Sequence, residues 1–197
     1  HLSIRRQRQM CIRDSSSADV GGTLFGVWVR DGKHAGASAA DVTANSGYYF
    51  QIGAQAGLKG EYYSSSSAGQ FTSKVMERVD PTVYFYWRSE SPGSGVPSDR
   101  FAVRWAGFLV VSTSGTYKIW AAADDGVRVW IDGNMVIDAW YAQALTVYSW
   151  TGTLSAGKHS IKIEYYESTG DAIVKLGWTP PGASGIYQIP PGNLSPY

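Results

Sequence analysis

Ala123-Asp-Asp-Gly-Val-Arg-Val-Trp-Ile-Asp-Gly133 is the stretch on which the fold can be read. Within it Val127, Val129 and Ile131 share one face of an extended chain, while Arg128, Trp130 and Asp132 share the other. One face is core and the other is wet. Asp125-Gly126 and Asp132-Gly133 close its two ends, and Asp-Gly pairs are hairpin-turn signals. The alternation returns around Ile161, Ile163 and Tyr165, which oppose Lys162 and Glu164. Ser155 to Gly157, just before that run, is a third candidate hairpin turn.

Outward from this stretch, LKGEYY, VYFYWR, FAVRWAGFLVVS, TYKIWAAA, VYSWTGTL and AIVKLGW are short runs of β-branched and aromatic residues bounded by Gly, Ser, Asp or Pro. Composition agrees: of 197 residues 14% are aromatic and only 17% charged, with 8 Trp, 13 Tyr and 23 Gly. Regular strand spacing without a helical period predicts an all-β chain, an antiparallel β-sandwich or barrel. Trp87, Trp105, Trp120, Trp130, Trp150 and Trp178 fall on these strands and are expected in the core or on sheet faces.

The balance of 17 Lys+Arg against 16 Asp+Glu gives a net charge of +1, so no basic field points to nucleic acid. No apolar run approaches the ~20 residues of a membrane-spanning helix, and membrane insertion is not expected. The single cysteine, Cys11, excludes a disulfide framework.

Residues 1–17, HLSIRRQRQMCIRDSSS, lack periodicity and an apolar leader segment. They read as a disordered tail or, because RQRQMCIRDS resembles translated adaptor sequence, an artefactual one. Residues 18–56 hold two strand-like runs, TLFGVWVRD and YYFQI, too few for a stable domain. They resemble the last strands of a β-sandwich repeat of bacterial surface proteins, so a truncated neighbour domain plus linker is expected before a domain at 57–197.

Leu58-Lys-Gly-Glu-Tyr-Tyr63, Arg78-Val-Asp-Pro81, Phe101-Ala-Val-Arg-Trp-Ala-Gly-Phe108, the Ala123–Gly133 stretch, Val136-Ile-Asp-Ala-Trp140, Ile163-Glu-Tyr-Tyr166 and Leu176-Gly-Trp178 follow one another in an order that resembles the PA-fourteen domain family. That family is named for anthrax protective antigen and includes the sugar-binding heads of yeast flocculins and epithelial adhesins. The resemblance covers 57–197. It implies a β-sandwich or barrel in which two consecutive aspartates joined by a cis peptide hold a calcium ion, Ca2+, whose shell a sugar completes. Asp124 and Asp125 occupy that position.

The chemistry can be argued from the residues as well. Adjacent strand residues point to opposite faces, so both carboxylates reach one ion only if the backbone turns sharply, as Gly126 permits. Calcium accepts about 6–8 oxygens, which leaves positions for water or a vicinal diol. The tripeptide alone also fits an ordinary hairpin turn beside a solvated acid. Further ligands are expected from Glu167 to Asp171, with Asp171 the most plausible carboxylate, or from carbonyls between Trp178 and Ser184. Trp140 and Tyr141 could offer a flat face to a pyranose ring, although Trp140 could equally pack on the sheet.

No catalytic set stands out. Glu61, Glu164 and Glu167 could in principle form a glycosidase pair. His34 and His159 are the internal histidines, and His159 is expected at the surface as it opens a strand. The expected function is a non-enzymatic, calcium-dependent carbohydrate-binding module of a secreted or cell-surface multidomain protein, with glycans and flanking domains as partners. Alternatives are a structural or assembly spacer of an adhesin, or an accessory module of a glycoside hydrolase.

Overall fold

The structure, a computed structural model, describes residues 55–197, so the 1–17 tail, Cys11 and nearly all of the expected neighbour segment lie outside the described residues. Twelve strands follow: β1 Leu58–Ser64, β2 Ser73–Asp80, β3 Tyr84–Arg88, β4 Phe101–Val111, β5 Gly115–Asp124, β6 Gly126–Ile131, β7 Asn134–Ala139, β8 Thr146–Leu154, β9 Gly157–Glu167, β10 Ala172–Thr179, β11 Tyr187–Gln188 and β12 Leu194–Ser195. They pair antiparallel in two sheets. The larger runs β2-β1-β4-β9-β6-β7 with β12 on β4; the smaller runs β11-β10-β5-β8 with β3 on β10. The all-β antiparallel expectation is met.

Alternation sets which side of each strand is buried. Tyr117, Ile119, Ala121 and Ala123 of β5 face the core while Lys118, Trp120, Ala122 and Asp124 face outward. Burying one large apolar side chain contributes ~1.5–3 kcal/mol, so a one-residue slip, which would expose a whole row, is strongly disfavoured. Trp105 and Trp178 are buried, and Trp87 and Trp150 pack against the core from its margin. At the centre the buried Asp80 carboxylate accepts hydrogen bonds from the Tyr62 hydroxyl (2.5 Å), the Trp105 indole N–H (2.7 Å) and Arg78 Nε (2.6 Å). Burial, followed by the Asp80 charge, pushes the Tyr62 hydroxyl far above the ordinary phenol range.

Only one of the three expected hairpins forms. Asp132-Gly133, with φ of 49° and 77°, is a two-residue turn with both centres left-handed, joining β6 to its partner β7. Asp125-Gly126 and Ser155–Gly157 instead carry the chain between sheets, since β5 and β8 belong to the smaller sheet and β6 and β9 to the larger. Turn residues report a sharp change of direction, not which sheet the next strand joins. Gly126 is needed for a further reason: a Cβ there would lie 2.1 Å from the Tyr166 ring.

Two surface expectations are corrected by partners that sequence distance hides. Glu164 is 4% exposed, because Arg104 Nε (2.9 Å) and Arg128 Nη2 (2.5 Å) reach it from the strands on either side. His159 is likewise buried. Its Nδ1 lies 2.6 Å from Asp132 Oδ2 and its Nε2 2.9 Å from the Ser155 carbonyl, and because both partners are acceptors only the protonated ring satisfies both contacts. Ser155 Oγ lies 3.4 Å from the same Nε2, but a nitrogen already donating to a carbonyl is no base for that hydroxyl.

The bond to Asp132 is the main cause that raises the His159 pKa above its ordinary value, against the opposing effect of burial. The pair therefore stabilises the fold fully below the unfolded histidine value of about 6.5, and that contribution is lost as pH rises through the raised folded value. Asp132→Asn keeps an acceptor for the Ser160 N–H but removes the charge. The urea midpoint difference between wild type and variant should be largest below about pH 6 and shrink toward pH 9.

Candidate metal centre

β5 ends at Asp124 and β6 begins at Gly126, so Asp125 occupies the single position where the chain leaves one sheet for the other. The Asp124-Asp125 peptide is cis. Asp125 is buried, and both its oxygens are engaged: Oδ1 accepts the Gln143 backbone N–H (3.0 Å) and Oδ2 the Ser168 N–H (2.8 Å). Gln143 Nε2 also donates to the Asp125 carbonyl (3.0 Å). The β7–β8 and β9–β10 loops are thus drawn to one carboxylate.

Glu167, the last residue of β9, completes the group. One carboxylate oxygen from each of Asp124, Asp125 and Glu167 lies within 4.8 Å of the other two. Glu167 is fully buried; its Oε2 accepts the Tyr165 hydroxyl (3.1 Å), which is also 2.6 Å from the Asp124 carbonyl, while its Oε1 has no hydrogen-bond partner among the described residues. A buried acceptor without a donor costs about 1–3 kcal/mol, and more when charged. Burial, then the Asp125 charge, pushes the Glu167 carboxyl up to about 8. Burial and Asp125 also raise Asp124, against an opposing N–H from Leu145. Three crowded carboxylates, one with an orphan oxygen, form a donor set suited to a hard cation.

Asp171 is not in this group. It is exposed, beyond the loop that follows β9, and acts on the cluster only as a more distant charge that raises Asp124. The signal for Glu167 was in the alternation: it continues the inward series Ile161, Ile163, Tyr165, whereas Asp171 follows a turn that breaks the phase. Trp140 is half-buried, stacked on Phe71 (6.0 Å, 12°), edge-on to Tyr166 (4.8 Å) and 4.0 Å from the Arg128 guanidinium. Tyr141 is the exposed ring. Its hydroxyl bonds that of Tyr148 (2.7 Å), and Tyr148 donates to the Gln143 side chain, so Tyr141 connects to Asp125 through two intermediaries.

A family model described as the PA14 domain matches residues 54–190 of this architecture. The chain belongs to the PA14 domain family. The anti-sigma-I factor RsgI3 of Acetivibrio thermocellus is 38% identical over 128 residues, 64% of this chain and 19% of that protein. A solved anti-sigma factor domain-containing protein is 36% identical with a TM-score of 0.68, covering 74% of this chain and 49% of its own. The PA14 sugar-binding domain from an RTX adhesin shares the fold at 20% identity and a TM-score of 0.60, over 72% of this chain and 99% of its own. This chain thus spans about half or less of the length of the anti-sigma relatives it matches. No helix among the described residues is long and apolar enough to cross a membrane.

The cluster makes metal-free stability depend on pH. Glu167 holds its proton to about 8 when folded and releases it near 4.5 when unfolded, so the folded state binds the extra proton between these values. In chelator, stability should fall as pH rises through that window. Glu167→Gln should flatten the fall, as read from thermal midpoints against pH; an unchanged slope would show that this carboxyl is not the strained group.

Proposed function

We propose that residues 57–197 form a calcium-dependent carbohydrate-binding module with no catalytic role, carried by a secreted or cell-surface multidomain protein. The observation that carries this reading is the orphaned Glu167 oxygen beside the Asp124 and Asp125 carboxylates. Asp124, Asp125 and Glu167 would hold the ion, with Asp171 nearby as an outlying charge. Calcium bound there would supply a hard centre whose remaining positions accept hydroxyl oxygens. Tyr141, exposed and tied to Asp125 through Tyr148 and Gln143, would lie against the sugar, while Trp140 is held between Phe71 and Tyr166. The sugar-binding description of the RTX adhesin domain agrees with this reading. The likeness to anti-sigma factors favours a multidomain parent in which the module accompanies an anti-sigma segment.

A second reading has its own support. Asp125 already ties two loops by backbone hydrogen bonds, so an ion at this point could serve to stiffen a spacer or assembly domain. Calcium should raise the melting temperature under both readings, by mass action worth ~2.7 kcal/mol at a hundredfold excess over Kd. Asp124→Asn should abolish that rise. Glycan-array binding that disappears in chelator supports the module, whereas a calcium-raised melting temperature with no glycan bound supports the spacer. No response to millimolar calcium would contradict both.

A further inference from the structure

The two sheets hold their outward cations differently. On the larger sheet Lys59, Lys74, Arg104, Arg128 and Lys162 each lie 3.7 Å or less from a carboxylate oxygen, Lys158 being the exception, with its Nζ donating to the Tyr197 carbonyl and 5.2 Å from the Phe108 ring. On the smaller sheet Lys118, Lys175 and Arg88 have no carboxylate partner among the described residues. Each lies against an aromatic ring instead: Lys118 Nζ is 4.1 Å from Trp120, Lys175 Nζ 4.8 Å from Tyr84, and the Arg88 guanidinium 5.2 Å from Tyr86. Such pairs keep the cation's charge available while the ring fixes its position.

Of these, Tyr84, Lys175 and Trp120 line a groove of about 210 Å³ on that face, and Lys118 meets it only through Trp120. Cross-strand register places Tyr84, Lys175, Ala122 and Val147 in one row, with Gln188, Gly177 and Trp120 in the next. Ala122 and Gly177 are small and form the floor; Tyr84, Trp120, Val147 and Ile186 are its walls, and three of these walls are about half exposed (Tyr84 49%, Val147 54%, Ile186 58%). Along β5 the same outward face continues from Ala122 to Asp124.

We propose that this groove binds an acidic polysaccharide, with sugar rings against Tyr84 and Trp120 and ring carboxylates on Lys175 and Lys118. The proposal shares the glycan-binding reading above but uses residues other than the carboxylate cluster. A neutral glycan would fit the walls and leave the ammonium groups unpaired. An acidic peptide would supply carboxylates, but its backbone N–H and C=O groups need partners, and the backbone groups of a sheet's interior are committed to its own ladder. A uronate ring offers a flat C–H face and an anion together, with hydroxyls for Gln188.

The test titrates an oligogalacturonate into the full chain in chelator, beside its methyl ester and poly-L-glutamate. The expected result is binding of the free acid, weakened by salt, with much less for the ester and the peptide. Lys175→Gln should weaken it about fivefold and the double variant with Lys118→Gln about tenfold or more, while Lys74→Gln on the larger sheet leaves it unchanged. Failure of the acid to bind, equal binding of the ester or of poly-L-glutamate, or equal loss with Lys74→Gln would each overturn the proposal. The calcium-dependent melting shift is read separately, so either site can fail while the other stands.

Discussion

Asp125 is the joint on which the candidate site depends. It stands where the chain passes from the smaller sheet to the larger, and its two oxygens accept one backbone N–H each from the β7–β8 and β9–β10 loops. A carboxylate so placed cannot move without releasing both loops. Charge-assisted hydrogen bonds of this kind are about twice as strong as neutral ones, and being buried they escape most screening. The same placement brings Asp124 and Glu167 close enough that neither is comfortable as an anion by itself.

The strand pattern was legible because most of it depends on burial, and burial follows alternation. Leu58–Tyr62, Tyr117–Ala123 and Ile161–Tyr165 lie in the phase their side chains predict. Sheet membership was not legible. Asp125-Gly126 and Asp132-Gly133 are identical dipeptides, yet one crosses between sheets and the other closes a hairpin. The difference lies in long-range contacts, such as the Tyr166 ring over Gly126, that no local propensity encodes.

The site was partly legible for the same reason. Doubled acid before a glycine marked Asp124 and Asp125, but proximity in sequence to loop ends favoured Asp171 over Glu167. The phase of β9 argued the other way. An inward carboxylate at the end of an apolar row is costly unless something meets it, which makes such a residue a stronger ligand candidate than an exposed acid. The expected surface positions of Glu164 and His159 erred in the opposite sense: partners from neighbouring strands and from the Asp132 turn, far away in the chain, meet their charges and let them be buried.

The division of labour between the faces follows from this packing. The larger sheet's outer row, Glu77, Glu61, Arg104, Glu164, Arg128 and Asp138, alternates sign across much of its width and is largely self-satisfied. The smaller sheet and the loop cluster at its end keep unmatched charge, positive in the groove and negative at the carboxylates. The central claim, that Asp124, Asp125 and Glu167 receive a cation, is tested most directly by calorimetric calcium titration at pH 7 in buffers of different ionisation enthalpy. Because Glu167 titrates at about 8, calcium should displace close to one proton per ion bound, and Glu167→Gln should release none. Calcium binding without proton release by the wild-type protein, or no binding at all, would contradict the account.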